Sequence, residues 1–318
     1  MYFTTDSLLT SIKTRALIPT SQSTFQNSDL INFANEEMQI KLVPDLISIR
    51  EDFFLRSKTV AITANNSRYP VPERCLGNAL KDVFYLDANN NKYPIRRINI
   101  HDVVTNVASG SLPQHFYMLG DRINLVPTPS SATGSIEIWY YERPNQLALT
   151  ASCAKITAIN TSGANQVFTV DTDLSSSWST STYVDILSGK SPFLTWAIDC
   201  AVVGITSTTI TVATSGVVAQ DGTTVLPQVN DYVCQAQYAN IPMIPQEAHP
   251  LLSEMVAARV VQALGDSEKL ALITANINEM RKQVFAMCSN RVENALQSVI
   301  NRRGFNRMIG PGWNTSFY

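Results

Sequence analysis

Arginine is missing from a long stretch of this chain: between Arg143 and Arg259 lie 115 residues in which Lys155 and Lys190 are the only strong bases. Histidine is scarce throughout. His101, His115 and His249 fall in three separate segments with no helical i,i+4 partner, so a zinc site is not expected. The five cysteines (Cys75, Cys153, Cys200, Cys234, Cys288) show no C-x-x-C spacing and read as free thiols, buried or half-buried, made in a reducing cytoplasm. No apolar run approaches the roughly 18 residues that a membrane helix needs. The opening Met1-Tyr2-Phe3-Thr4-Thr5-Asp6 lacks a basic segment followed by an apolar one, so no secretory leader is expected.

Catalytic signatures are missing as well. There is no G-x-S-x-G, Walker-type loop or G-x-G-x-x-G, and Gly310-Pro311-Gly312 reads as a turn. The acidic pairs Glu36-Glu37 and Glu51-Asp52 would diverge by about 100° on a helix, so they read as solvated faces and not as dyads. His115, near Tyr117, reads as a polar residue at a sheet edge. An enzyme is not expected, nor a cofactor or a metal.

What is present is segmented. The chain has 318 residues, 45% of them hydrophobic, enough to bury a core and, by length, to form about two domains. Residues 1–143 carry 14 bases and 14 acids, residues 144–258 carry 2 and 8, and residues 259–318 carry 8 and 4. The net charge of −2 therefore hides sections of 0, −6 and +4. Such a break in composition marks separately built modules.

Residues 5–56 read as helices. Asn27 or Ser28 can cap a helix whose apolar positions Leu30, Ile31, Phe33, Ala34, Met38 and Leu42 follow a 3.6 period, with Asp29 in its first turn. Pro44 predicts its end and the start of a second helix to Leu55, the two packing as a hairpin. From Lys58 to Tyr141 the pattern predicts short strands: Thr59–Thr63, a hairpin around Asn89-Asn90-Asn91, a second one at His115–Leu119 and Arg122–Val126, and Ser135–Tyr141. Ser67–Pro72 reads as a turn and Leu76–Val83 as one or two helical turns. Together these predict a small antiparallel sheet against the helices, an α+β arrangement.

Between Thr150 and Val229, 26 of 80 residues are Ser or Thr, which argues against a helical module. Six alternating segments (Lys155–Ile159, Gln166–Val170, Tyr183–Leu187, Thr195–Asp199, Thr209–Val212, Asp231–Gln235) predict a small barrel. Trp178 and Trp196 fit its core; sugar stacking is the alternative. After Pro245 the chain turns helical again. One helix runs from Pro250 to Gly265, and a second of about 34 residues, roughly 50 Å, begins near Asp266. Its positions Ile273, Ile277, Met280, Val284 and Met287 form a heptad-like seam suited to subunit packing. The tail mixes Arg302, Arg303, Phe305, Arg307, Trp313, Phe317 and Tyr318 without periodicity and reads as an arm docking on another subunit. With Arg281, Lys282 and Arg291 its bases could pair with acids on a protein partner, lie solvated, or contact nucleic-acid phosphates.

One set of blocks carries a resemblance. It comprises Asn27-Ser28-Asp29-Leu30 to Pro44, Arg50–Phe54, Tyr69–Arg74, Phe116–Pro129, Ile138–Pro144, and Ile241–Pro245 through His249-Pro250 to Asp266. Over about 1–145 and 237–300 it resembles the head-to-tail connector (adaptor, or neck ring) proteins of tailed bacteriophages. The resemblance implies a helical adaptor core (1–149 and 237–301) with a long C-terminal helix. It also implies a homo-oligomeric ring, twelve-fold (a dodecamer), beneath the portal protein, with downstream tail or neck proteins as further partners. DNA would pass through the lumen without sequence-specific binding. The C-terminal arm, 302–318, would be portal-binding. The section 150–236 then reads as an inserted β domain outside the adaptor pattern. The expected role is a virion structural protein assembled in the bacterial cytoplasm, with no membrane partner. The alternative is a tail-associated adhesion protein whose β domain recognises a glycan or a protein.

Overall fold

A computed structural model describes residues 3–19, 24–103, 112–191, 193, 195–217 and 227–289. Helix α1 (Thr5–Ala16) starts at Thr4, whose carbonyl accepts the Leu8 N–H at 2.8 Å. Helix α2 (Asn27–Glu36) is capped one residue earlier than expected: the Gln26 N–H donates to Asp29 Oδ2 at 2.9 Å, placing a carboxylate at the positive end of the helix. The hairpin expected at Pro44 does not form. Helix α2 continues through a π-helical segment, Glu37–Leu42, into α3 (Val43–Ile49). Proline has no N–H to give the preceding turn, and the widened π turns just ahead of it absorb that loss. A short 3₁₀ turn, Glu51–Phe54, then replaces the last turn of the expected helix.

Strand β1 (Leu55–Ala61) follows, then β2 (Arg68–Pro70), β3 (Cys75–Leu86), β4 (Lys92–Pro94), β5 (Arg96–Arg97), β6 (His115–Leu119), β7 (Arg122–Val126) and β8 (Ser135–Glu142). They form two four-stranded sheets, in orders β1-β8-β3-β4 and β2-β7-β6-β5, where the expectation was one. Nor does their core lie against the helices. Val83, Tyr85, Ile136, Ile138 and Tyr140 of the first sheet share one core with Tyr69, Phe116, Ile123 and Leu125 of the second. The stretch read as helical turns, Leu76–Val83, is strand β3. Left-handed Gly77 and Asn78 shift its register against β8, which disguises the alternation in the sequence. The turn expected over Ser67–Pro72 contains β2.

Strand β9 (Gln146–Leu147) leads into six strands: β10 (Cys153–Ser162), β11 (Asn165–Val170), β12 (Tyr183–Leu187), β13 (Thr195–Ile205), β14 (Thr209–Ala213) and β15 (Tyr232–Gln235). They close in the order β10-β11-β14-β13-β12-β15, so the barrel forms as the alternation predicted. Its core holds Ile156, Phe168, Val184, Ile186, Val202, Ile210, Val212 and Trp178. Strand β16 (Tyr238–Ala239) then pairs in parallel with β9, so the chain leaves the barrel beside the point where it enters. Helix α2 grips this ribbon through Asn35, whose amide bonds both backbone groups of Leu147, and α1 grips it through Thr5, bonded to the Asn240 carbonyl.

Helix α4 (His249–Leu264) opens with Pro250 in its first turn and ends at Gly265, whose φ of 79° favours a residue without Cβ. Asp266 accepts the Lys269 N–H at 3.0 Å and opens α5 (Ser267–Cys288). The described helix has 22 residues, about 33 Å. The remainder of the expected rod and the arm at 302–318 lie outside the described residues. Leu8, Ile12, Leu30, Met38 and Leu46 pack with Leu252, Val256 and Val260 of α4 and with Ile273 and Val284 of α5. The described fold is thus mixed α+β, with a helical layer, a two-sheet layer and a six-stranded barrel.

His249 ties these parts together. It is wholly buried; its Nδ1 accepts the Phe3 N–H at 3.0 Å, and Nε2 lies 3.0 Å from the Pro242 carbonyl. The ring of Phe193, from the barrel, stacks on it at 5.4 Å. Burial lowers its pKa to about 4, so the ring is neutral when folded. Because the unfolded imidazole binds its proton more readily, stability from this site is complete above about pH 6.5 and is lost as pH falls towards 4. We expect the unfolding free energy to drop by about 3 kcal/mol over that window. In His249→Gln that component of the pH dependence should vanish, measured by urea denaturation at several pH values.

Candidate docking surfaces and a buried polar junction

A dense polar cluster lies where the sheets meet the barrel. Arg74, immediately before β3, reaches Asp185 of β12 through two hydrogen bonds of 2.6 and 2.9 Å, and Asp199 of β13 at 2.9 Å. Asp185 is fully buried and accepts three further donors: the Asn145 amide at 2.8 Å and the backbone N–H groups of Asp199 and Gln237 at 3.0 and 2.9 Å. Asp199 and Gln237 both have left-handed backbones, φ 54° and 71°, which the carboxylate helps to hold. A carboxylate out of water is tolerable only with this many partners. Beside it, burial raises the pKa of Glu142 above the usual carboxylate range, opposed by Arg56 at 3.1 Å.

Of the acidic pairs read as solvated in the sequence, Glu36 and Asp52 are exposed, but Glu36, Glu37 and Glu51 also take part in ion pairs. Glu51 accepts from Lys81 at 2.7 Å and from the Tyr141 hydroxyl at 2.7 Å, and these bonds hold its carboxyl below the usual range. Glu37 is buried, bonded to Lys41 at 2.8 Å, and Glu36 pairs with Arg259 of α4. The arginines at 259 and 281 also lie over the rings of Phe33 and Phe285. The spacing of acids in a sequence does not reveal partners more than two hundred residues away.

The two surfaces singled out in the sequence fare differently. Of the α5 seam, Ile273 and Val284 are buried in the helical core, Ile277 and Met280 are half-buried against it, and Met287 is 54% exposed. Four of the five thus pack within the chain. Beside them runs an open groove of about 720 Å³, floored by Met255, Ala258, Leu270 and Ile277 and rimmed by Ile40, Arg259 and Arg281. Ile40, Leu264 and Leu272 are exposed apolar side chains of the same helical layer. The docking-arm residues Arg302, Arg303, Phe305, Arg307, Trp313, Phe317 and Tyr318 lie outside the described residues, as does Arg291. Arg281 is engaged by Asp45, whereas Lys282 is exposed.

All five cysteines are free and buried, as expected, but they are not all apart. Cys153 and Cys234 face each other across the β10–β15 ladder, and burial with the adjoining thiol raises the Cys234 pKa. Trp178 is in the barrel core, and Trp196 is half-buried against it. Among the described residues no group of three His, Cys, Asp or Glu side chains is placed to hold a metal ion, and no helix is long and apolar enough to cross a membrane.

A comparison with protein families matches residues 3–187 to the SU10 adaptor protein family, more than half of the chain. The chain belongs to the SU10 adaptor protein family. The matched span covers the helices before the sheets, both sheets and strands β10–β12. Among curated proteins none matches the chain. As an SU10 adaptor the chain is a structural component of a bacteriophage virion, of a kind that works through contacts with other head and tail proteins.

The Arg74 junction is what a barrel fixed in position within such an adaptor would require. Arg74→Ala, which strands the buried Asp185 charge, should cost about 3–5 kcal/mol of unfolding free energy. A cost below about 1 kcal/mol for this variant would show that the pair does not hold the junction.

Proposed function

We propose that this SU10 adaptor forms a closed, twelve-fold ring between portal and tail, acts as the head-to-tail connector, and does no chemistry. The family match carries this reading. The helical layer supports it. Ile40 at the rim of an apolar-floored groove, with exposed Leu264, Leu272 and Met287 elsewhere on α4 and α5, suits a heterologous contact between identical subunits, the kind that closes rings. In this reading residues 1–149 and 237–301 form one adaptor core in two pieces. Residues 150–236 are the inserted barrel, held at a fixed angle by Arg74 and Asp185. Residues 302–318 are the arm that binds the portal, and DNA passes through the lumen. Assembly takes place in the host cytoplasm.

Native mass measurement and negative-stain imaging of the purified chain should show a high-order ring with a central pore. A stable monomer that binds glycans would overturn the ring in favour of a tail-associated adhesin. Deleting 302–318 should leave folding and ring formation intact and abolish binding to the portal protein, read by pull-down; retained binding would refute the arm's role.

A further inference from the structure

The sheet β2-β7-β6-β5 has a second face, turned away from the core. Alternation buries Phe116, Ile123 and Leu125, and so places Arg68, Arg122, Tyr117, His115 and Arg96 on the opposite side. Arg68 stands level with Asn124 and Tyr117, Arg122 lies two residues further along β7, and Arg96 stands level with His115 on the far strand. With strands about 4.8 Å apart and alternate residues about 6.8 Å apart, the three arginines sit roughly 8 to 17 Å from one another. All three are exposed.

Exposed bases elsewhere divide: Lys81, Lys92, Arg259 and Arg281 are tied down by Glu51, Glu137, Glu36 and Asp45, whereas Arg50, Arg97, Arg143, Lys190 and Lys282 have no ion pair among the described residues. No Asp or Glu occupies any position of these four strands, and Arg68 and Arg96 have no carboxylate partner among the described residues. Only Asp121, in the β6–β7 turn, approaches Arg122, at 3.9 Å and in solvent. Unpaired guanidinium forks fixed on a rigid sheet match the geometry of phosphate oxygens and lie within one duplex's reach.

We infer that this face is a contact surface for the phosphate backbone of duplex DNA, without base readout. It rests on the channel reading above for the presence of DNA, though not on the number of subunits. The test is fluorescence anisotropy of a labelled duplex with the full chain across a salt series. The triple variant Arg68→Ala, Arg96→Ala, Arg122→Ala should bind more than about tenfold more weakly at low salt. Its slope of log affinity against log salt should be shallower by about three. Lys282→Ala, on α5, should change neither.

An unchanged slope in the triple variant overturns the assignment, as does an equal effect of Lys282→Ala, which would signal net charge alone. Circular dichroism checks folding, and the three single variants, each expected to lower the slope by about one, replace the triple should it unfold. Native mass on the same samples separates the two readings. A ring that binds no duplex refutes the face and leaves the ring, whereas a monomer that binds through these arginines refutes the ring and leaves the face. A wild type that ignores duplex but whose self-association depends on the three arginines would reassign the face to an acidic surface of a second copy.

Discussion

The architecture turns on one buried ion pair. Arg74 and Asp185 are 111 residues apart in sequence, on opposite sides of the sheet–barrel junction; Arg74 also bonds the side chains of Asn145 and Asp199, and Asp185 the Asn145 amide and two backbone N–H groups at the barrel's root. Because Asp185 also accepts the N–H groups of Asp199 and Gln237, the strand edge of the barrel and the exit strand share a single anchor. Such a pair adds little net stability beyond a well-packed apolar substitute, but it is intolerant of any geometry except its own. That intolerance gives the barrel one orientation.

The other joints repeat the logic at lower cost. Asn35 and Thr5 bind the β9–β16 ribbon from the helical side, Glu51 links the 3₁₀ turn after α3 to the sheet through Lys81 and Tyr141, and His249 sits where the N-terminus, the barrel and α4 converge. Among the described residues four apolar cores, one of them at the barrel's root, are thus tied together in part by polar contacts with strict directional demands. For a structural component that transmits contacts between neighbours, fixed relative placement of its layers is the property that matters.

The sequence was most legible where periodicity is local. The barrel strands, the β6–β7 hairpin around Gly120-Asp121, and the α4 boundary at Gly265 all follow from alternation or capping within a few residues. Legibility failed where a local signal had two outcomes. Pro44 stops most helices, yet a π segment carried this one through; Leu76–Val83 read as helical turns and is a strand interrupted at Gly77-Asn78. The ion pairs of Glu36 and Glu51 were not legible because their partners, Arg259 and Lys81, lie beyond any local window.

By itself the sequence determined the classes of element, the acidic barrel flanked by arginine-bearing segments, the lack of catalytic signatures, and the kinship with phage adaptors. Hydrophobic period and composition are properties of neighbouring residues, and they survive any arrangement of the chain. Tertiary structure alone decided that the strands before the barrel make two sheets sharing one core, that Cys153 meets Cys234, that most of the α5 seam turns inward, and that Arg68, Arg96 and Arg122 share one face of a sheet whose strands carry no acid. Those facts depend on which strand pairs with which. Strand pairing is a long-range choice settled by the burial of whole faces, which no short window of sequence contains.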